Sequence, residues 1–212
     1  MQLSPKVWRL DASKGFAVYL IRAHDGYTLI DTGFFTAGQA IINELESLGV
    51  TALSKILITH HDVDHIGNMS LLQRKYGCPV YVHSLDMPYI RREKRRKSTK
   101  ALFDFFVKTD TAATLLPLEQ AHFSDIKVIH TPGHTPGHCC FVFEGFLFCG
   151  DVFRLPKLRL KPYHKRTGWR TPRLEQFVRG RVGLPFTWVC PAHFMPCEFT
   201  CKPLVYAQPS QQ

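Results

Sequence analysis

The sequence predicts an α/β fold, and two observations support this. Runs with the pattern of β-strands come first, a helix follows, and strand-like runs return in the second half. The chain has 212 residues, of which 45% are apolar, and a chain of this length buries roughly 70% of the surface of its unfolded form. We therefore expect one domain over residues 1–207 and a disordered tail over 208–212.

The first half is predicted to hold strands with helices between them. Apolar and polar side chains alternate over Tyr27–Ile30, which is typical of a half-buried strand. Gly49 ends a helical segment. Ser54-Lys-Ile-Leu-Ile-Thr59 is a short apolar, β-branched run that predicts a buried strand. The predicted elements are strands near 6–10, 16–23, 26–31, 54–59 and 79–83, a helix over 36–48, a helix over 67–76 and two helices over about 85–108.

The second half is predicted to contain a β-hairpin. The longest apolar run, Cys139–Cys149, is interrupted by Glu144-Gly145, and this dipeptide indicates a tight turn. No apolar run reaches the roughly 18 residues of a membrane span. The predicted elements are strands over 126–130, 138–144 and 146–149, a helix over 172–180 and a final strand over Phe186–Val189.

The densest group of potential metal ligands follows a predicted buried strand. Residues 59–67 read Thr-His-His-Asp-Val-Asp-His-Ile-Gly. In an extended chain residues i and i+2 point the same way, so His60, Asp62 and Asp64 are expected to converge. By the same alternation, His61 is expected to point away. The candidate ligands here are His60, Asp62, Asp64 and His65.

Three later turns, each at the end of a predicted strand, carry further candidates. Pro fixes φ and Gly permits close approach, so a turn built from them presents a side chain rigidly. One metal ion needs three or four ligands, and a second ion needs as many again. Distant ligands are therefore required. The turns are Thr131-Pro-Gly-His134-Thr-Pro-Gly-His138, Cys149-Gly-Asp151 and Cys190-Pro-Ala-His193.

Together with Asp31-Thr-Gly33, these motifs resemble those of the metallo-β-lactamase-fold metal-dependent hydrolase superfamily. The family pattern is T-H-x-H-x-D-H-x-G, then a His in a P-G-H-T-P-G-H turn, then G-D, then a C-terminal His, and the order here is the same. The resemblance covers nearly the whole chain and implies a four-layer αββα sandwich with a binuclear metal centre. It implies a first site of His60, Asp62 and His134, a second site of Asp64, His65 and His193, and Asp151 as the bridge between them.

Three further residues are expected to support the ligands rather than to coordinate. In the family, the residue matching Asp31 supports the loop that carries the metal ligands. Alternatively, Asp-Thr-Gly after a strand could form a local turn through hydrogen bonds from side chain to backbone. His61 and His138 lie inside the motifs, but alternation turns each away from its ligand neighbour. We therefore expect them to hydrogen-bond or pack behind the ligands.

Position 62 departs from the family pattern, which has His there. Two divalent ions, a bridging hydroxide, Asp64 and Asp151 sum to about +1 with a neutral His at 62, and to about zero with Asp62. A less positive centre is a weaker Lewis acid, and oxygen ligands favour harder ions. We expect two divalent metal ions, with zinc favoured and manganese or iron as alternatives.

The chain is basic, with a formal net charge of +10. The block Arg91–Lys97 is expected on the solvated face of a helix. In the second block, Arg154–Arg173, basic residues alternate with leucines, so an extended segment would have one cationic edge. We expect this segment to form a rim that attracts an anionic small-molecule substrate, with an inert surface loop as the alternative. The candidate substrate-binding residues are Lys157, Arg159 and Lys161.

The sequence favours a hydrolase in which a metal-bridging hydroxide attacks an ester, lactone or thioester carbonyl. Asp64 is expected to orient the hydroxide and later to carry a proton. One alternative is a phosphodiesterase or nuclease in which the basic blocks follow the phosphates of nucleic acid. Another is an iron-dependent redox enzyme with a triad of His60, His134 and Asp151. A metal-stabilised binding module without enzymatic activity is the least favoured hypothesis.

A cytoplasmic location is expected. The N-terminal residues lack the continuous apolar stretch of a signal peptide. The seven cysteines are an odd number in a chain large enough to fold without disulfides, so most should be reduced. The oligomeric state is not predicted.

Overall fold

The computed structural model describes residues 1–95, 112–154, 161–162 and 186–198. In these ranges the chain forms two mixed β-sheets with helices, which confirms the predicted α/β fold. A separate two-stranded ribbon is also present.

The first sheet has seven strands that follow one another in chain order. Strands β1 to β4 pair antiparallel, and β4 to β7 pair parallel. Parallel neighbours need a crossover, and helices fill the connections. The elements are β1 (Gln2–Ser4), β2 (Val7–Leu10), β3 (Val18–Ala23), β4 (Gly26–Ile30), α1 (Gly38–Ser47), β5 (Lys55–Leu57), α2 (Val63–Ile66), α3 (Met69–Tyr76), β6 (Val80–Val82), α4 (Met87–Ile90) and β7 (Leu115–Pro117), with a 3₁₀ turn at Phe35–Ala37 and another at Leu118–Gln120.

The second sheet has five strands in the order β14-β13-β10-β9-β8. Its central hairpin turns at Glu144 and Gly145, which both have positive φ (42° and 83°), as a two-residue type I′ turn requires. The elements are β8 (Lys127–His130), β9 (Cys139–Phe143), β10 (Phe146–Gly150), β13 (Trp188–Pro191) and β14 (Cys197–Glu198), and the ribbon pairs β11 (Phe153–Arg154) with β12 (Lys161–Pro162).

Alternating side chains of the first sheet fill two different cores. Leu29 and Ile56 face the helices and pack with Ile41. Ile30 points to the opposite face and packs between the sheets with Phe141 of the second sheet. Each fully buried side chain of this size contributes about 1.5–3 kcal/mol. The period-2 pattern thus places the two sheets face to face and the helices outside the first one.

The predicted helices over 85–108 are largely absent from the described part of this range. Helix α4 ends at Ile90, because Arg92 adopts a left-handed backbone (φ 59°) and the amides of Glu93 and Lys94 turn back to donate to the Pro88 carbonyl. The expectation of a basic helical face is therefore wrong for the described part of Arg91–Lys97.

Other differences concern element ends and ranges. The helix predicted over 67–76 is α3, which begins at Met69, and a separate short helix, α2, precedes it. The edge strands β1, β7 and β14 were not predicted. The predicted helix over 172–180 and the tail over 208–212 lie outside the described residues. Among the described residues, no helix is long and apolar enough to span a membrane.

Candidate metal centre

Seven of the candidate ligands gather in two neighbouring clusters. In each cluster the potential ligand atoms lie within 4.8 Å of one another, a spacing that one metal ion can bridge. The first cluster is His60, Asp62, His134 and Asp151, and the second cluster is Asp64, His65 and His193.

The carboxylate of Asp62 spans the two histidines of the first cluster. Its Oδ1 lies 3.7 Å from Nε2 of His60, and its Oδ2 lies 3.2 Å from Nε2 of His134. All three side chains are buried. The departure from the family pattern at position 62 therefore leaves a potential oxygen ligand inside the first cluster.

Asp151 lies between the two clusters. Its Oδ2 is 3.5 Å from Nε2 of His134 in the first cluster and 3.2 Å from Nε2 of His193 in the second. Its Oδ1 is 3.4 Å from Nε2 of His65 and 3.0 Å from Nε2 of His193 in the second cluster. The Oδ2 atom of Asp64 completes the second cluster, 3.3 Å from Nε2 of His193. One carboxylate thus contacts ligand candidates of both clusters.

Two buried imidazole nitrogens identify the kind of ligand that fits here. Nε2 of His60 and Nε2 of His65 are buried and have no hydrogen-bond partner among the described residues. A buried polar atom without a partner is costly. A metal ion in each cluster would use one of these lone pairs, so the donor set fits divalent metals.

The histidines of the centre lower the pKa values of two buried carboxylates, Asp62 and Asp151. Burial raises the pKa of Asp62, but His60 and His134 outweigh burial and hold that pKa well below its usual range. Burial also raises the pKa of Asp151, but the neighbouring rings of His193 and His65 outweigh burial and hold that pKa well below its usual range. Both carboxylates are therefore anionic, which is the form that binds cations.

The loop after β5 does not stay extended as far as the alternation argument assumed. His60 and Asp62 do converge, but α2 begins at Val63 and carries Asp64 and His65 to the second cluster. The expectation that Asp64 joins His60 and Asp62 by strand alternation is wrong, because a helical turn replaces the pleat.

Asp31 lies directly behind the second cluster. Its Oδ2 accepts a hydrogen bond from Nδ1 of His65 (2.7 Å), and its Oδ1 accepts one from the Thr59 amide (2.8 Å). A carboxylate on Nδ1 fixes the tautomer that leaves the Nε2 lone pair facing the centre. Asp31 also has positive φ (61°), a conformation that Asp adopts more readily than most residues.

His138 lies behind the first cluster. Its Nδ1 is 2.8 Å from the hydroxyl of Thr131, and its ring centroid is 5.1 Å from that of His60. Burial lowers its pKa to about 3, so the ring is neutral. Gly150 allows this packing, because a Cβ there would lie 2.8 Å from Nε2 of His138 and 2.8 Å from the hydroxyl of Thr59.

His61 turns away from both clusters and meets an acid that the sequence reasoning missed. Its Nδ1 lies 2.9 Å from Oδ2 of Asp86, and its ring stacks on Tyr89 with centroids 4.5 Å apart. One signal could have identified Asp86. It follows β6, and the carboxyl ends of parallel strands meet at one edge of a sheet.

An aromatic group next to the second cluster was also missed. The ring of Phe16 stacks on Phe34 (5.3 Å) and meets His193 edge-on (5.6 Å), while Phe35 lies 4.4 Å from Phe34. Phe35 is 41% exposed. We name Phe16, Phe34 and Phe35 the aromatic wall. It gives this side of the centre an apolar surface.

The predicted substrate-binding segment is mostly outside the described residues. Lys157 and Arg159 are not among them. Lys161 is described only by its backbone, which pairs with Arg154 in the β11–β12 ribbon. That ribbon begins two residues after Asp151.

Comparison with known proteins adds independent findings. Residues 17–193 match the family model described as "Metallo-beta-lactamase superfamily". The probable metallo-hydrolase YybB of Bacillus subtilis (strain 168) is 29% identical over 153 residues, which cover 70% of this chain and 66% of YybB. The hydroxyacylglutathione hydrolase of Shewanella loihica is 32% identical over 137 residues, which cover 64% of this chain and 46% of that enzyme. The chain thus spans less than two thirds of the length of these relatives.

A solved structure is similar over almost the whole chain. The crystal structure of TTHA1623 in a di-iron-bound form has a TM-score of 0.69 and 25% identity, and the match covers 93% of each chain.

Proposed function

The chain belongs to the metallo-beta-lactamase superfamily, and on that premise we propose that it is a metal-dependent hydrolase with a binuclear centre. One observation carries the proposal: the carboxylate of Asp151 contacts both clusters, with Oδ2 3.5 Å from Nε2 of His134 and Oδ1 3.4 Å from Nε2 of His65. Two-metal hydrolases hold their ions close together, and a shared carboxylate suits that spacing. The proposed ligands are His60, Asp62 and His134 for the first ion, Asp64, His65 and His193 for the second, and Asp151 for both.

Two divalent ions bound there would activate a water molecule at neutral pH and polarise a substrate carbonyl. Residues of the chain would orient this water molecule and transfer its proton. Asp64 is suited to this role because its side chain is 15% exposed, against 3% for Asp62 and 1% for Asp151. We assign Asp64 to orienting the attacking water and carrying its proton to the leaving group. Asp31 would hold the ring of His65 in place throughout.

The proposed substrate is an ester, lactone or thioester. The similarity to hydroxyacylglutathione hydrolases supports the thioester first, since hydroxyacylglutathione is a thioester. The aromatic wall supports an apolar group on one side of the reacting carbonyl, because Phe16 at one end of the wall meets His193 and Phe35 at the other end is exposed. Binding of an anionic group by Lys157, Arg159 and Lys161 stays a prediction.

The nitrogen and oxygen atoms available as ligands indicate which metal ions would fit. The first cluster has two imidazoles and two carboxylates, a mixture that suits zinc and also harder ions. The di-iron form of TTHA1623 shows that a similar chain holds iron. We propose zinc, with iron or manganese as the alternatives that the additional carboxylate of Asp62 favours.

The alternative functions make different demands on the centre. A redox enzyme with one iron would need only His60, His134 and Asp151, whereas a second cluster of three potential ligands lies beside them. That second cluster favours two-metal hydrolysis. Cleavage of nucleic acid depends on the basic blocks, and the described residues of these blocks add no support.

The proposal is tested on protein purified without added metal. Elemental analysis should find two divalent ions per chain, and the same sample should be assayed with lactone, thioester and phosphodiester substrates. Asp125→Asn is a control, because Asp125 lies outside both clusters and accepts a hydrogen bond from the His24 amide. Hydrolysis that continues unchanged after full removal of metal by a chelator would contradict the proposal. Colour with an iron signal and no hydrolysis would favour the redox alternative.

A further inference from the structure

Asp86 is a fully buried carboxylate (0% exposed) that belongs to neither cluster. It occupies the N-cap position of α4, where an Asp side chain usually accepts a hydrogen bond from the first amides of its own helix. Asp86 makes no such bond. Its carboxylate instead contacts two other loops, so helix capping does not explain this residue.

Among the described residues, the carboxylate of Asp86 makes four polar contacts, and these go to the two loops that carry ligands of the first cluster. Oδ2 accepts hydrogen bonds from the His61 amide (3.0 Å) and the Thr135 hydroxyl (2.7 Å), and lies 2.9 Å from Nδ1 of His61. Oδ1 accepts a hydrogen bond from the Gly137 amide (2.6 Å). His61 lies between His60 and Asp62 in the chain, and Thr135 follows the ligand His134.

The surroundings of Asp86 leave little room for either loop to move. A Cβ on Gly137 would lie 2.7 Å from Oδ1 of Asp86 and 2.8 Å from its backbone nitrogen, so the loop packs directly against the acid. On the other side, Tyr89 stacks on the ring of His61 with an interplanar angle of 9°. Removing the carboxylate would leave several buried donors without a partner, which is costly.

We propose that Asp86 is a positioning residue that fixes the His60–Asp62 loop relative to the His134 loop and thereby sets the metal affinity of the first cluster. This inference rests on the proposed function, because it assumes that these residues bind a metal ion. The second cluster is supported differently, since Nδ1 of His65 contacts Asp31 and Nδ1 of His193 lies 3.2 Å from the Gly15 carbonyl. The effect of Asp86 should therefore be selective for the first cluster.

The carboxylate is the essential part of the residue. Burial raises the pKa of Asp86, but hydrogen bonding and charge from His61, with the bonds from Thr135 and Gly137, hold it below its usual value. The acid is thus ionised and serves only as an acceptor. An amide in its place would present a donor to neighbours that are donors themselves.

The test titrates zinc into chelator-stripped Asp86→Asn protein by calorimetry. Affinity at the first cluster should fall about 10–100-fold, as is typical when a residue that orients a metal ligand is lost. Affinity at the second cluster should stay within about threefold. The binding event that disappears in Asp62→Ala identifies the first cluster. Glu119→Gln is the matched control, because Glu119 accepts a hydrogen bond from Ser84 in the same loop but contacts neither ligand loop.

A second variant covers the case in which Asp86→Asn does not fold. Thr135→Val removes one of the four contacts and should weaken the first cluster alone, by a smaller factor. Equal weakening of both clusters, or no weakening of either, would overturn the positioning role. If the unmodified protein itself binds no metal, the proposed function fails. If it binds two ions and Asp86→Asn binds them equally well, only the present inference fails.

Discussion

Replacing Asp62 with His tests how charge sets the reactivity of the proposed centre. The potential ligand atom of Asp62 lies within 4.8 Å of those of the other residues in the first cluster. The substitution exchanges an anion for a neutral ring and raises the charge of the centre by about one. At about 5 Å and an effective dielectric constant of about 20, one unit charge changes the interaction energy by about 3 kcal/mol. This corresponds to about two pKa units, at about 1.4 kcal/mol each.

We therefore expect Asp62→His to move the acidic limb of the pH–rate profile down by about one to two pH units, because a more positive centre makes the attacking water more acidic. The variant should also prefer zinc more strongly. The measurements are kcat/KM across the pH range and elemental analysis of the same samples. Asp125→His is the control, since it changes the charge of the protein equally, outside both clusters. An unmoved limb together with unchanged metal preference would mean that Asp62 is not a ligand.

Three further predictions concern the bridge and the substrate. Asp151→Ala should lose activity and at least one metal ion together; two bound ions with full turnover would refute the bridging assignment. Neutralising Lys157, Arg159 and Lys161 together should raise KM for an anionic substrate and leave metal content and a neutral substrate unaffected; an equal loss on both substrates would indicate a folding role. Phe35→Ala should raise KM several-fold for a long apolar acyl group and leave a short one unchanged, as measured over a series of acyl lengths; a uniform effect across the series would remove the aromatic wall from the substrate site.

The sequence predicted the composition of the centre better than its local geometry. Every residue of the two clusters is one of the ligands that the family resemblance implied, and their coordination of metal stays a prediction. The alternation argument placed His60 and Asp62 on one side, and the structure has them in one cluster. It failed at Asp64, because hydrogen bonds from the His65 and Ile66 amides to the Asp62 carbonyl start a helix there. A strand-like pattern gives no sign of where such a turn begins.

Asp86 and the aromatic wall were missed because their contacts join distant parts of the chain. Asp86 meets Gly137, which is 51 positions away, and Phe16 meets His193 across most of the chain. Gly137 and His193 lie in motifs, but Asp86 and Phe16 do not, and their contacts follow only from how the chain folds. Likewise, α4 ends early because Arg92 takes a left-handed conformation, for which a basic, helix-favouring run gives no warning.

Two acids at the site occupy helix N-cap positions without capping their helices. Asp62 is the N-cap residue of α2 and Asp86 is the N-cap residue of α4, and neither side chain makes a capping hydrogen bond. Such a bond typically contributes about 0.5–2 kcal/mol to a helix. Asp62 directs its carboxylate to His60 and His134 instead, and Asp86 directs its carboxylate to the loops beside them. Both helices therefore lack the stabilisation of a side-chain cap, and such departures from local stability are common at functional sites. Because the same departure occurs on both acids, we infer that α2 holds one carboxylate in the first cluster and that α4 holds the other against the loops that carry the ligands of that cluster.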